Sequence, residues 1–407
     1  MPERSTYTRR EDLTYKANRD NGRHGWLRLT PAYSMKLVTE RLAVLPKGSM
    51  VLEPFSGSGT TPLVAQELGI RCEAREINPF LVWFGRTKLD EYSARDLDTV
   101  RTATESICAD ASNAYGSIFW KPPIFQIEKW WNQPTLAALS ALRHFIDKVD
   151  GKPRNLLDVA FCRTMISTSA AAFNHQSMSF KNVASCDASN ERADYEKVIR
   201  IFQNDAEYVV ETANTPMEGH STIENGNSTQ TFDGFKQADI LITSPPYANR
   251  MSYIRELRPY MYWLRFLSDG AQAGELDWKT TGGTWGSAST KLKTWEPDKD
   301  TPIETELNDV CGRILAGKSG KILSPYVFKY FHDIWDHLNA ITPIMKRGGE
   351  VCYIVGNSTF SGNEVPTHRW YAEMLEALGY DDVHVDVIRK RNSNKKLFEF
   401  AVCGTKA

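Results

Sequence analysis

The sequence predicts a mostly parallel α/β sheet with helices on both faces and a large, mainly helical insertion. Three observations support this prediction. Strand-like and helix-like segments alternate between residues 49 and 92, a helical pattern then interrupts them, and apolar strand-like runs return from residue 238 onward. The chain has 407 residues, more than one hydrophobic core usually supports, so we interpret it as one core that carries insertions.

The first two strand–helix units follow each other directly. SMVLEPF (49–55) predicts a buried strand that ends in turn residues, and TPLVAQELGI (61–70) predicts the helix after it. RCEARE (71–76) predicts a second strand. NPFLVWFGRTKLDEY (78–92) predicts a second helix, because Asn78 is a suitable N-cap and the proline after it suits a first helical turn.

The rest of the chain divides into two predicted insertions and the remainder of the core. Residues 93–215 are mostly helical in pattern, whereas residues 268–320 are rich in Gly, Trp and Thr and predict an irregular loop. ADILITSPPY (238–247) predicts a strand that ends in prolines. A long helix, a strand, a second helix and two closing strands are predicted after the loop. The predicted core comprises residues 1–92, 216–267 and 321–407.

Composition excludes several classes of protein. Hydrophobic residues make up 41% of the chain, which is enough for a globular core, while no apolar stretch is long enough to cross a bilayer. The polar N-terminus lacks the apolar region of a secretory signal. Seven scattered cysteines, never spaced as C-x-x-C, argue against a disulfide framework and a zinc site. We expect a soluble, cytoplasmic protein with reduced thiols and no metal.

A glycine turn follows the first predicted strand. The missing side chains of Gly57 and Gly59 let a ligand approach the backbone, and the next helix begins with unpaired N–H donors. A dinucleotide fingerprint would have a third glycine where Thr60 and Thr61 stand, and a P-loop would have a lysine. The turn therefore favours another nucleotide-like ligand, with a simple tight connection as the alternative.

Glu76 ends the second predicted strand, beside the glycine turn in a parallel sheet. A carboxylate in this place accepts hydrogen bonds from both ribose hydroxyls of an adenosine. Alone, Glu76 would more often be an ordinary surface acid. The glycine turn on the neighbouring strand favours the ligand-binding interpretation.

The strand at residues 238–243 ends in Thr-Ser-Pro-Pro-Tyr. Two prolines remove N–H donors and fix the chain, so carbonyl oxygens face the crevice at the strand's end. Such a site suits a planar amine, which donates to the Pro245 carbonyl and the Ser244 side chain, while Tyr247 offers a ring face to a base. The alternative is a proline turn that merely ends a buried strand.

EPFSGSGTT (53–61) together with TSPPY (243–247) resembles the AdoMet-dependent DNA amino-methyltransferases, and the serine form of the second motif looks like the cytosine-N4 branch. The resemblance implies a Rossmann-like methyltransferase sheet, S-adenosyl-L-methionine as cofactor and double-stranded DNA as substrate. It also allows a companion restriction endonuclease. The residues that match the family's base-holding motif are Ser244, Pro245, Pro246 and Tyr247.

The same resemblance implies a cofactor site. GIRCEAREINP (69–79) is similar to the family's ribose-binding segment, and ENGNSTQTF (224–232) takes the place of its adenine-contacting segment. LTPAYSMKLVTERL (29–42) looks like its N-terminal motif, and YIVGNSTFSG (353–362) resembles a segment at the rim of the base pocket. The implied cofactor-binding residues are Thr30, Pro31, Glu53, Pro54, Phe55, Ser56, Gly57, Ser58, Gly59, Thr60, Thr61, Glu76, Ile77, Asn78, Asn227 and Ser228.

The implied chemistry is a direct methyl transfer. The amine of cytosine is a poor nucleophile, so acceptors at Ser244 and Pro245 must favour a pyramidal nitrogen aimed at the methyl group. No covalent enzyme intermediate is needed. A cytosine-C5 enzyme would use a cysteine in a Pro-Cys pair, and the sequence contains no such pair.

Contacts with DNA are predicted beside the proline motif. Flipping a base out of the duplex costs a few kcal/mol in lost stacking and pairing. Contacts with the phosphates and a protein surface that fits the DNA must offset this cost. Basic residues alternate there with aromatic ones, although helical packing explains the aromatics equally well. The candidates are Arg250, Arg255, Arg258, Arg265, Tyr253, Tyr260, Tyr262 and Trp263. Sequence recognition is expected in 93–215, in 268–320, or in both, where Trp120, Trp130, Trp131, Trp285 and Trp295 contact DNA or belong to the core.

Three alternatives stay open. The adenine-N6 branch is one, because both amines present similar donors. An RNA or protein-side-chain methyltransferase is another. The third is a module that binds DNA or AdoMet without turnover.

Overall fold

The computed structural model of the protein describes residues 10–29, 33–172, 179–180, 190–249, 252–284, 286, 288–391 and 396–407. The strands are β1 Met50–Glu53, β2 Arg71–Glu76, β3 Ala171–Ala172, β4 Ser179–Phe180, β5 Ser221–Asn225, β6 Ala238–Thr243, β7 Met345–Gly356, β8 Ser358–Phe360, β9 Asn363–Val365, β10 Tyr380–Lys390 and β11 Phe398–Lys406. The helices are α1 Met35–Leu42, α2 Thr60–Glu67, α3 Pro79–Leu89, α4 Ala94–Asn113, α5 Gln133–Ile146, α6 Gly151–Ser167, α7 Glu191–Ala213, α8 Tyr253–Trp263, α9 Gly270–Lys279, α10 Ala288–Lys291, α11 Glu304–Leu315, α12 Gly320–Ile341 and α13 Thr367–Ala377.

One sheet organises the molecule, and its strand order is β10-β11-β7-β6-β1-β2-β5. The five strands from β7 to β5 are parallel, whereas β11 runs antiparallel to both of its neighbours. After β1 the chain turns through α2 to β2 on one side, while β6 pairs with the other side of β1. The carboxyl ends of β1 and β6 therefore flank a topological switch point, where α/β proteins bind ligands.

Successive side chains of β1 and β6 face opposite layers of helices, as the pleat requires. Val51 and Ile240 pack with α1, α2 and α3 on one face. Leu52 and Leu241 pack with α11, α12 and α13 on the other. The predicted mostly parallel α/β sheet with helices on both faces is confirmed.

The helical insertion forms its own hydrophobic cluster against α3. Buried side chains of α4, α5, α6 and α7 make up most of this cluster. Helix α8 also belongs to it, because Trp263 is fully buried and its ring lies 5.8 Å from that of Trp131 and 5.4 Å from that of Phe161. The mainly helical character of residues 93–215 agrees with the predicted fold class, and α8 connects the insertion to the edge of the sheet.

One expectation about secondary structure is wrong, and one strand of the sheet has no counterpart in the prediction. Residues 268–320 are not one irregular loop, because α9, α10 and α11 form there. Asp269 caps α9 by accepting from the Gln272 amide at 2.9 Å, and α11 buries an apolar stripe that includes Leu307 and Ile314. Strand β5 was not predicted, because this edge strand buries only Ser221 and Ile223 and so has a weak alternating pattern.

No helix among the described residues is long and apolar enough to span a membrane.

Candidate active site

A cavity of about 430 Å³ lies at the carboxyl edge of the sheet, beside the switch point. Gly57 and Glu76 line it from one side, and the segment 244–247 lines it from the other. The two motifs, nearly two hundred residues apart in the sequence, therefore line the same cavity. The predicted residues that line the cavity are Pro54, Phe55, Gly57, Glu76, Ile77, Asn78, Asn227, Ser228, Ser244, Pro245, Pro246 and Tyr247.

The glycine turn is tied to the end of β2 by Glu76. Its two carboxylate oxygens accept from the Gly57 amide and the Asn78 amide, each at 2.8 Å. Gly57 and Gly59 have φ of 52° and 75°, the left-handed region that glycine adopts without strain. Burial raises the pKa of Glu76, and the two backbone donors oppose that shift. Each carboxylate oxygen has a further lone pair, so the residue suits a ligand with hydroxyl donors.

Asn78 also caps α3, as predicted, because its side chain accepts from the Phe80 amide at 3.0 Å.

Glu53 lies behind the cavity wall and joins four segments. Its carboxylate accepts from the Phe55 amide at 3.0 Å and from the Thr61 hydroxyl at 2.7 Å. The hydroxyls of Tyr33 and Thr243 donate to it as well. Burial raises the pKa of Glu53 to about 7 although these donors lower it. The residue therefore fixes the ends of β1 and β6 rather than lining the cavity.

Other predicted cofactor residues are buried in the glycine turn and at the start of α2. Ser56, Ser58, Thr60 and Thr61 are buried. The Ser58 carbonyl accepts from the buried Lys88 ammonium at 2.8 Å, and burial lowers the pKa of that lysine to about 7. Thr30 and Pro31 lie outside the described residues.

Arg75 shapes the loop that carries Asn227 and Ser228. Its guanidinium donates to the carbonyl oxygens of Asn227, Gln230 and Thr231 at 3.3, 3.1 and 2.9 Å. The same group lies 3.8 Å from the centre of the Phe232 ring. The loop is therefore held against the end of β2, next to Glu76.

The two proline carbonyl oxygens of the motif differ in their hydrogen bonding. The Pro246 carbonyl accepts from the Tyr330 hydroxyl at 2.7 Å. No hydrogen bond from the described part of the chain reaches the Pro245 carbonyl. The Tyr247 hydroxyl donates to Glu399 at 2.8 Å, and the Arg391 guanidinium lies 5.2 Å from the Tyr247 ring centre. Burial, with the charge of Glu399, raises the pKa of Tyr247 well above its usual value.

Three groups of cavity residues were not named individually from the sequence, although Tyr33 lies in the predicted N-terminal motif and Lys279 in the segment 268–320. Arg10, Leu13, Thr14, Lys16 and Tyr33 come from the N-terminal segment, and Lys279, Thr280 and Thr281 from the end of α9 and the residues after it. Arg389 comes from β10, Arg391 from the segment after β10, and Glu399 from β11. An excess of basic residues was the available signal. Residues 1–30 carry seven Lys/Arg against four Asp/Glu, and residues 385–407 carry six against two.

Several residues predicted to contact DNA are part of the core. Tyr260, Tyr262 and Trp263 are at most 4% exposed, so stacking on bases is excluded for them and helical packing is the correct interpretation. Trp130 and Trp131 are buried in the same cluster. Arg250 and Trp285 lie outside the described residues.

A mostly parallel α/β sheet with such a cavity at its switch point is consistent with the Rossmann-like methyltransferases. No protein-family model matches the chain. The chain is similar to the Type II methyltransferase M.BsoBI of Geobacillus stearothermophilus, with 34% identity over 102 residues, which are 24% of this chain and 20% of that relative. It is also similar to the Type II methyltransferase M.MvaI of Kocuria varians, with 19% identity over 394 residues, which are 91% of this chain and 83% of that relative. Both relatives support a methyltransferase class for the chain.

Proposed function

We propose that the protein is a site-specific DNA methyltransferase that modifies the exocyclic N4 amine of a flipped cytosine. Its proposed setting is the cytoplasm, in a restriction–modification or related defence system with a companion endonuclease. The observation that carries the proposal is that Gly57 and Pro245 line the same cavity. A methyl donor on the glycine side and a base on the proline side would touch there.

The proposed donor is S-adenosyl-L-methionine, which supplies an activated methyl group. Glu76 would accept from the ribose hydroxyls, and the loop that Arg75 holds would flank the adenine with Asn227 and Ser228. Phe55 and Ile77 add apolar surface to the same end of the cavity. These residues fit a nucleoside, because the site combines a buried carboxylate with apolar walls.

At the other end, the residues act on the amine. The Pro245 carbonyl and the Ser244 hydroxyl would accept its two hydrogens and turn its lone pair toward the methyl group. Tyr247 would hold the base through its ring. The transfer then depends on positioning and electrostatics rather than on a protein nucleophile.

The DNA would contact the two insertions. Residues 93–215 and the segment 268–320 are proposed as the regions that read the sequence, with residues 1–92, 216–267 and 321–407 as the catalytic core. The relatives' designation as Type II methyltransferases supports DNA as the substrate class.

Labelling the methyl group of the donor tests the proposal. The protein is incubated with methyl-labelled S-adenosyl-L-methionine and plasmid DNA, tRNA or protein, and the labelled product is identified. Mass spectrometry of nucleosides from the DNA separates N4-methylcytosine from N6-methyladenine. Label in adenine, in RNA or in protein would support one of the other methyltransferases, and donor binding without any transfer would support a silent module.

Two substitutions separate the ends of the cavity. We expect Ser244→Ala to lower turnover, because it removes an acceptor of the amine, and Tyr247→Ala to weaken base capture more than donor binding. Each truncation should cost on the order of tenfold or more in kcat/KM. Donor affinity measured by calorimetry is the control. An equal loss of donor affinity in both variants would contradict the assignment of the two ends.

A further inference from the structure

We propose that Glu399 is the final acceptor, through Ser244 and Tyr247, of the proton that the target amine loses during methyl transfer. The inference rests on the proposed function, because it concerns the amine end of the same cavity. It adds a residue from the last strand of the sheet, which neither motif contains.

A chain of hydrogen bonds leads from the amine end of the cavity to this carboxylate. The Ser244 hydroxyl donates to the Tyr247 oxygen at 3.4 Å, and the Tyr247 hydroxyl donates to Glu399 Oε1 at 2.8 Å. Glu399 is only 5% exposed, and all three residues line the cavity. We call this chain the Ser244–Tyr247–Glu399 relay. The hydrogen bond between Ser244 and Tyr247 is long, and catalytic hydrogen bonds of this length often shorten when the substrate binds.

Two arginines hold the relay in place from β10 and the segment after it. Arg389 donates to both oxygens of Glu399 at 2.7 and 3.1 Å, a bidentate pair that fixes the orientation of the carboxylate. Arg391 lies over the Tyr247 ring. Its guanidinium fills the space beside Gly356, where an added Cβ would lie 2.6 Å from Arg391 Cζ. The carboxylate and the phenol are therefore positioned before any ligand arrives.

The transfer leaves a proton for an acceptor at the amine end of the cavity. Transfer moves positive charge from the donor sulfur to the amine nitrogen, which must then lose a proton. A serine hydroxyl and an amide carbonyl accept hydrogen bonds from the amine but do not retain a proton near neutral pH. Glu76 and Glu399 are the carboxylates among the described residues that line the cavity, and Glu76 is bound to the glycine turn. Glu399 is the carboxylate at the amine end.

Methyl transfer and proton transfer together form one balanced step. The nitrogen–methyl bond forms while the methyl–sulfur bond breaks, and sulfur keeps the electron pair. The amine N–H bond breaks and its proton moves to Ser244, the Ser244 proton moves to Tyr247, and the Tyr247 proton moves to Glu399. Ser244 and Tyr247 end as they began, and Glu399 becomes a carboxylic acid that returns its proton to solvent after product release. A neutral phenol both accepts and donates a proton, which the raised pKa of Tyr247 preserves.

Single-turnover methyl transfer to DNA tests the relay. The variants are Glu399→Gln, Tyr247→Phe and the double variant, each compared with wild type from about pH 5 to about pH 9. Each single substitution should slow transfer by about tenfold to hundredfold, because proton transfer by a positioned group contributes at that level or above. The double variant should be no slower than the slower single variant, because both changes interrupt one path. The pH dependence of the rate should differ between wild type and Tyr247→Phe, because the substitution interrupts the path to Glu399.

Glu350→Gln is the matched control. Glu350 is another carboxylate of the sheet that pairs with an arginine, Arg41, at 3.2 Å. It does not line the cavity, so Glu350→Gln should keep the wild-type rate. Tyr247→Phe leaves the pair of Arg389 and Glu399 intact, so the relay is tested even where Glu399→Gln fails to fold. Wild-type rates in the single variants, or losses that multiply in the double variant, overturn the relay while the proposed function stands. A wild-type protein that methylates no DNA overturns both.

Discussion

Glu53 illustrates how one buried side chain can support a site without lining it. Its carboxylate accepts hydrogen bonds from β6 and from the start of α2, as well as from Tyr33 and its own turn. The sequence placed it in the glycine motif, and the resemblance made it a cofactor ligand. The structure gives it four internal donors instead, so its cofactor-binding role stays a prediction.

We expect Glu53→Gln to change how stability depends on pH. The pKa of Glu53 rises from 4.5 to about 7 in the folded protein, because burial disfavours the ionised form. The folded protein therefore binds more protons than the unfolded chain between those values. The raised pKa therefore stabilises the folded protein by about 3 kcal/mol at pH values below the unfolded pKa of Glu53. This stabilisation decreases as the pH rises and is lost by about pH 7.

Denaturant titrations of both proteins from about pH 4 to about pH 9 measure the effect. The difference in free energy of unfolding between wild type and variant should change by that amount as the pH rises through the window. Above about pH 8 the difference should stay constant, which serves as the internal control. A difference that is independent of pH throughout would contradict the raised pKa.

At the scale of elements, the glycine turn and α3 are packed backbone against backbone. A Cβ added to Gly59 would lie 3.3 Å from the Cα of Gly85, and Gly59 has a φ of 75°. Gly85 in turn leaves room for Ile223 of β5, because a Cβ added to Gly85 would lie 2.4 Å from Ile223 Cδ1. Small residues on both segments therefore set the distance between the turn and the helix.

We expect Gly59→Ala to destabilise the protein by about 1–2 kcal/mol and to weaken donor binding, because it strains the turn and displaces it from α3. Thermal unfolding and calorimetry measure the two effects. Gly48→Ala is the matched control, because Gly48 also has a positive φ, of 90°, but has open space around its Cβ position. It should lose stability without losing donor affinity. Equal losses of donor affinity in both variants would rule out the close-approach explanation.

Helix α8 carries the basic residues that remain candidates for DNA contact. Its first residues, Tyr253 and Ile254, line the cavity. The Nε atom of Arg255 is buried without a hydrogen-bond partner, and no carboxylate in the described part of the chain pairs with this arginine. Arg258 lies over the Trp130 ring at 5.5 Å, and burial and the charge of Arg255 lower its pKa. Two like charges beside the cavity favour an anionic partner, such as a DNA phosphate.

We expect Arg255→Ala to weaken DNA binding by roughly three- to tenfold. The slope of log K for DNA binding against log salt concentration should become smaller in magnitude by about one. Binding to a duplex at several salt concentrations measures both. Arg265→Ala is the control on the same segment, because Arg265 already pairs with Asp147 at 2.9 Å. It should leave the slope unchanged. A slope that is unchanged in Arg255→Ala would remove this arginine from the DNA surface.

At the scale of the whole molecule, the insertion and the active site share one packed unit. Helix α8 begins at the cavity and ends with Trp263 in the core of the insertion. The insertion cluster also includes Phe80 and Phe84 of α3, the helix that Asn78 begins beside Glu76. The structure therefore predicts that the insertion and the sheet unfold together.

We expect Trp263→Ala to destabilise the protein by about 3–5 kcal/mol, because it leaves a large cavity at the junction of α8 and the insertion. Thermal unfolding followed by circular dichroism and by loss of donor binding should give one coincident transition at a lower temperature. Phe125→Ala is the control, because this aromatic residue of the insertion is 85% exposed. An insertion that melts first, with donor binding retained, would show that the two parts are independent.

The sequence by itself determined the local parts of this protein. Turn residues, caps and apolar periods are short-range signals that a sequence carries by itself. They specified the strands β1, β2 and β6, the helices α2 and α3, the glycine turn, Glu76 and the proline motif. The sequence did not specify β5, whose alternation is weak, nor the helices within residues 268–320, where the Gly- and Thr-rich stretch at 277–297 predicted a loop.

Only the tertiary structure decided what completes the cavity. Tyr33, Lys279 and Glu399 reach it from three distant parts of the chain, and the Tyr247–Glu399 hydrogen bond joins residues 152 positions apart. No local pattern encodes such a meeting, because it depends on how the strands order themselves in the sheet. The antiparallel return of β11 beside β7 brings Glu399 to the proline motif, and that placement follows from long-range packing.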